Sequence, residues 1–232
     1  MKRANLLGAA VATGVAFAAP GALRAADLSN NAPRLRVPAG GKVRVAFAIS
    51  PGANVMDLAG PWETFQDVVL PNGDMPFELV TISEHTEVVE MTGGLRVEPT
   101  FSFNGIQSAN IIVVGAQSND SPQFLELLRG AQGKVDLTMS VCTGAFKLAK
   151  SGILDGKSAT THHEYYDAFS KQFPNVNLVR GERFVDNGSI VTAGGLTSGI
   201  SAALHVISRY FDGQTAARTA AYMEFTPTKR EA

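Results

Sequence analysis

Residues 135–154, VDLTMSVCTGAFKLAKSGIL, carry the reading that decides the fold. Val135 to Val141 reads as a strand, and Ala145 to Leu154 reads as a helix stopped by Asp155-Gly156. Only Cys142-Thr143-Gly144 lies between them, so the chain must turn sharply there. A residue at such a junction has its side chain presented at the carboxyl end of the sheet, where α/β proteins bind ligands. The first turn of the helix aims unpaired N–H groups and a partial positive charge at the sulfur, an arrangement expected to favour thiolate over thiol.

Working outward, further strands and helices alternate. Asn110 to Gly115 is a short apolar run ending in glycine, as expected of a strand buried on both faces. Pro122 to Ala131 is amphipathic and helical. Upstream, Lys42 to Ile49 reads as the first strand, Asp57 to Val69 as a helix with Pro61 at an early helical position, and Phe77 to Ile82 as the second strand. Thr92-Gly93-Gly94 and Asp186-Asn187-Gly188-Ser189 each sit between β-prone runs and predict hairpins. Downstream come a short strand at Ser158 to Thr161 and helices at Glu164 to Phe173, Thr197 to Phe211 and Ala216 to Phe225. This alternation predicts an α/β fold with a mostly parallel sheet covered on both faces. No repeat or linker divides it, so residues 42–232 are expected to form one domain.

Charge and composition narrow the function. Twenty Lys and Arg against 21 Asp and Glu in 232 residues leave a formal net charge of −1, with no positive field for a phosphate backbone. Nucleic acid is not an expected partner. One cysteine and four histidines leave little for a tetrahedral zinc site, and no G-x-G-x-x-G or P-loop is present, so neither metal nor nucleotide cofactor is expected. Residues 1–26 differ from the rest. Lys2-Arg3, an apolar small-residue run from Ala4 to Ala19, and small residues near Ala25 or Ala26 read as a cleaved signal peptide with a twin-arginine-like start. The run is too short for a stable membrane anchor. The expected address is the periplasm, and residues 27–41 read as a polar lead-in.

Cys142 is the candidate nucleophile; a buried cysteine acting as a small hydrophobe is the other reading of the same residue. Asp57 sits just after the first strand, near the same sheet edge. Beside a thiol it would share one proton with it and act as general acid and base, whereas alone it would cap a helix. His162 and His163 follow the strand at Ser158 to Thr161 and are read either as substrate-orienting or as structural. Gly194-Gly195 ahead of Thr197-Ser198-Gly199 resembles an anion cradle at a helix start. His85 and His205 receive no role.

Three stretches together resemble the ThiJ/PfpI superfamily, related to class I glutamine amidotransferase-like folds, and within it the isonitrile hydratase-like branch. They are MDLAGPWETF at 56–65, SVCTGAFKLAKSGILDGKSATTHHEYYDAF at 140–169 and TAGGLTSGISAALHVISRYF at 192–211. The resemblance implies a flavodoxin-like three-layer α/β/α sandwich, a homodimer, and a strained nucleophile elbow. It makes Cys142 the nucleophile, Asp57 the acid/base carboxyl and Thr143 the neighbour lining the site, with Gly115, Ala116, His162 and Gly195 about a small electrophilic substrate. The implied chemistry hydrates an isonitrile to an N-substituted formamide through a thioimidate, without metal or organic cofactor. Gly115-Ala116 stands where relatives often have two glycines, and His163 where they often have tryptophan. The alternatives are a ligand-binding or redox-sensing module and an aldehyde- or glycation-repair enzyme. Regulators of the superfamily append a DNA-binding helix-turn-helix, for which a chain ending at Ala232 is expected to lack room.

Overall fold

The computed structural model describes residues 33–39, 41–105 and 108–226. The expected signal at 1–26 lies outside them. β1 (Val43–Ala48) leads through a loop to α1 (Val55–Gln66) and then β2 (Phe77–Ser83). β3 (Val89–Glu90) and β4 (Arg96–Val97) form the first predicted hairpin, which stands apart from the main sheet, and β5 (Phe101–Ser102) returns to it. There follow β6 (Ile111–Val114), α2 (Pro122–Ala131), β7 (Leu137–Ser140) and α3 (Gly144–Lys150). Beyond these lie β8 (Ser158–Ala159), α4 (Tyr166–Gln172), β9 (Asn177–Leu178), the hairpin β10 (Phe184–Asp186) and β11 (Ile190–Ala193), α5 (Ser198–Tyr210) and α6 (Gly213–Tyr222).

Seven strands form one sheet in the order β10-β11-β7-β6-β1-β2-β5, parallel throughout except for the β10–β11 hairpin. Its inner strands are buried on both faces, and their side chains alternate between two cores. Val43, Val45, Phe47, Ile111, Val113, Leu137 and Met139 meet apolar residues of α1, α5 and α6. Ala46, Ala48, Ile112 and Val114 point the other way, onto Phe124, Leu128, Leu148 and Phe169 of α2, α3 and α4. That alternation makes the three layers. The chain leaves β1 for β2 on one side and returns through β6 on the other. The crevice between the carboxyl ends of β1 and β6 is therefore the switch point where such sheets bind ligands. Among the described residues no helix is long and apolar enough to cross a membrane.

Two local expectations are corrected. α1 begins earlier than Pro61 suggested, because the Asn54 side chain caps it, accepting from the N–H groups of Met56 (2.9 Å) and Asp57 (3.2 Å). Pro61 therefore lies inside the helix and has no N–H to give the Asp57 carbonyl one turn back. The strand expected at 158–161 stops at Ala159 and pairs with β9 outside the main sheet. Its next residues are drawn elsewhere: the Thr160 N–H donates to Thr192 Oγ1 (2.9 Å) and Thr161 Oγ1 donates to the Cys142 carbonyl (2.9 Å).

Candidate active site

Cys142 lies two residues past the end of β7 and has φ of 59°, a left-handed conformation that costs a non-glycine residue roughly 1–2 kcal/mol. The surrounding backbone holds it there. Its N–H donates to the carbonyls of Gly194 (2.7 Å) and Ala193 (3.2 Å), and the Val141 N–H donates to the Val114 carbonyl (2.9 Å). Gly144 completes the turn, since a Cβ at that position would run into the Val114 carbonyl. α3 can start this close to β6 only with glycine there.

Asp57 reaches the same point from α1. Its residue is fully buried, and Oδ2 accepts from the Ala116 N–H at 2.9 Å. Capping belongs to Asn54, which leaves this carboxyl for the crevice. Gly115 permits the approach, because a Cβ there would lie 2.8 Å from the Asp57 Cβ. The Leu196 N–H and the Cys142 thiol act on the carboxyl as well. The Gly115-Ala116 pair thus braces Asp57.

Burial pushes the Asp57 carboxyl from 3.8 up to about 6, against the lowering effect of the Ala116, Leu196 and Cys142 contacts. Burial and then the negative charge of Asp57 push the Cys142 thiol from 9.0 up to about 12, outweighing the help of the Thr143 N–H and hydroxyl. The helix start does favour thiolate, through the Thr143 N–H and hydroxyl, but burial and the Asp57 charge act against it. A short α3 cannot offset desolvation beside a carboxylate. Thiol and carboxyl hold one proton between them from about pH 6 to about pH 12.

The other candidates fall into two groups. Thr143 stands next to the sulfur at the N-cap of α3 and is half-buried. His162 lies against Gly195, where a Cβ would collide with its ring, and stacks on His163 with ring centroids 4.5 Å apart. Thr161, bonded to the Cys142 carbonyl, ties this segment to the elbow. His205 is elsewhere: it is buried, with Nε2 2.6 Å from Asp186 Oδ2, and Arg209 binds the same carboxylate at 3.1 Å. That network anchors the lead-in, since Arg209 Nε and Nη2 both donate to the Pro33 carbonyl, at 3.0 and 2.9 Å. Among the described residues no group of three or more His, Cys, Asp or Glu could hold a metal ion.

Leu196 is the site residue that sequence reasoning missed. It adopts φ of 51° and turns its N–H toward Asp57 while its side chain stays exposed. The neighbouring Gly194-Gly195 signalled an unusual loop, but a left-handed leucine leaves no mark in sequence.

Such a sheet, with a cysteine in a left-handed elbow at the switch point and a buried carboxyl beside it, defines a cysteine-elbow α/β/α domain. The chain belongs to the DJ-1/PfpI family, whose model matches residues 43–209. It is 29% identical over 193 residues to isonitrile hydratase from Pseudomonas putida, covering 80% of this chain and 79% of that protein. It is also 44% identical over 158 residues to the HTH-type transcriptional regulator GlxA of Rhizobium meliloti, covering 66% of this chain but only 48% of the regulator. A ThiJ/PfpI family crystal structure from Pseudomonas syringae superposes with a TM-score of 0.70 at 22% identity, covering 93% of this chain and 84% of that one. The flavodoxin-like architecture is thereby the family's own.

Proposed function

We propose that the protein is a cysteine-dependent hydro-lyase that hydrates isonitriles to N-substituted formamides. The observation that carries this reading is the buried Asp57 carboxyl set against the left-handed Cys142 at the elbow, where the two can share one proton. An isonitrile carbon accepts a nucleophile and a proton at the same atom, so a thiol with an ionised carboxyl beside it supplies both. Asp57 takes the thiol proton as sulfur attacks and delivers it to that carbon, giving the thioimidate R–N=CH–S. The carboxylate then takes a proton from water as the water oxygen adds to the thioimidate carbon, and delivers it to the nitrogen, giving R–NH–CH(OH)–S–Cys142. The hydroxyl proton then passes through Asp57 to sulfur as the C–S bond breaks, which releases R–NH–CHO and restores the thiol. Water and isonitrile are the only reactants. Thr143, beside the sulfur, steadies the developing thiolate. Similarity to an isonitrile hydratase along most of both chains supports the assignment.

The test is formamide production from a panel of isonitriles by the parent protein and by Cys142→Ala. Cys142-dependent formamide supports the reading, and no turnover of any isonitrile ends it. A second reading, a ligand-binding or redox-sensing module, draws on the higher identity to a regulator; that result would leave it standing. We further propose that residues 1–26 direct export to the periplasm and that the protein works as a homodimer. N-terminal sequencing of the exported form and light scattering test these two points.

A further inference from the structure

Next to the elbow lies a cleft of about 260 Å³ that the proposed mechanism leaves unused. Thr143 belongs to both places, since it bears on the sulfur and also lines the cleft. Three aromatic residues line it: Phe146, Tyr165 and Phe173. Phe146 meets Tyr165 and Phe173 edge-on, with centroids 6.3 and 5.8 Å apart. Tyr165 in turn meets His162 at 5.9 Å, and His162 packs on Gly195, which precedes the Leu196 amide that reaches Asp57. An aromatic surface therefore runs from the loop over Asp57 to the cleft. Tyr165 remains 46% exposed at its end.

The same cleft is cationic. Asp120 receives both Lys147 and Lys150, the latter at 2.7 Å, so two ammonium groups meet one carboxylate and the lining carries one net positive charge. Lys147 is nearly buried, so its charge is less well solvated than a surface lysine's. At about 260 Å³ the space falls just below the roughly 300–1,000 Å³ of drug-sized sites, enough for one substituted ring but not for a large cofactor.

We propose that this cleft holds the substituent of the substrate and selects an aryl group bearing a carboxylate. The ring lies along Phe146 and Tyr165, the carboxylate meets Lys150 and Lys147, and the reactive carbon is left beyond Thr143 at Cys142. For the reacting end this rests on the hydratase reading; for the tail it rests on the cleft alone.

The test separates the two. Binding of 4-(formamidomethyl)benzoate and of its methyl ester to Cys142→Ala is measured by calorimetry, and KM for the matching isonitriles is measured on the parent. The carboxylate is expected to bind at least about fivefold more tightly than the ester, and to lose that advantage as salt rises. Lys150→Glu is expected to reverse the preference and Lys150→Gln to abolish it, while Tyr165→Ala weakens acid and ester alike. The salt series on the unsubstituted lysine keeps the test valid if a variant misfolds. Equal binding of acid and ester, unmoved by salt, overturns the cleft assignment even if isonitriles are hydrated. Charge-selective formamide binding with no turnover of any isonitrile supports the cleft and removes the hydratase reading.

Discussion

Replacing Asp57 by asparagine removes a carboxyl that the fold buries completely, and the cost of ionising it there follows from its titration. The group rises from 3.8 to about 6 on folding. At about 1.4 kcal/mol per unit, ~3 kcal/mol of stability is at stake. A folded-state value above the unfolded one means that the native state holds the proton more tightly. The contribution is therefore fully present below 3.8 and is lost as pH rises through about 6. Asparagine keeps a carbonyl oxygen for the Ala116 N–H and does not titrate. The stability of Asp57→Asn minus that of the parent is thus expected to grow by about 3 kcal/mol from acid pH to neutrality. Urea unfolding across a pH series measures both proteins, and the subtraction cancels groups common to the two. A difference that stays flat within about 1 kcal/mol would mean that Asp57 titrates as an ordinary surface carboxyl. The shared proton would go with it.

Three further outcomes are expected. If Asp57 is the base, kcat/KM for an isonitrile falls about tenfold per pH unit below about 6 and stays level through mildly alkaline pH, since the thiol lies up at about 12; Asp57→Asn lowers it by about 10²–10⁴-fold. A pH-independent rate would exclude that role. Cys142→Gly, free of the left-handed penalty, is expected to be about 1 kcal/mol more stable than Cys142→Ala in thermal unfolding, and the reverse order would show the elbow to be unstrained. Gly144→Ala drives a methyl group into the Val114 carbonyl, which no rotamer change relieves, so a loss of more than about 2 kcal/mol is expected and a normal melting temperature would refute the close approach.

Strand and helix alternation carried the layered architecture, because buried parallel strands and amphipathic helices differ in period and length. The elbow was legible for the same reason: with only three residues between strand and helix, Cys142 had to turn. Less legible was everything set by contacts distant in sequence. Asn54 took the capping role that Asp57 was equally suited to, and only the folded loop shows which of the two faces the crevice. The charge state of Cys142 went the same way. Helix position is a local signal, whereas the opposing carboxylate comes from 85 residues upstream across the β1–β6 switch point. The strand at 158–161 was misplaced because Thr160 and Thr161 have β-prone side chains whose bonds go to Thr192 and Cys142 instead of into a ladder.

Where the resting charge sits separates an enzyme from a sensor, because oxidation of cysteine follows thiolate character and access. Here burial and the Asp57 charge push the Cys142 thiol up, which favours the charge on Asp57 and the proton on sulfur at neutral pH. A peroxide sensor needs the opposite arrangement, with the charge on sulfur in the resting state. Asp57→Asn discriminates. It removes the negative neighbour that raises the thiol, so Cys142 is expected to alkylate with iodoacetamide and to oxidise faster in the variant than in the parent at the same pH, even as hydration is lost. Slower alkylation in Asp57→Asn would place the proton on the carboxyl and the charge on the sulfur, and would turn the site into one built to be oxidised.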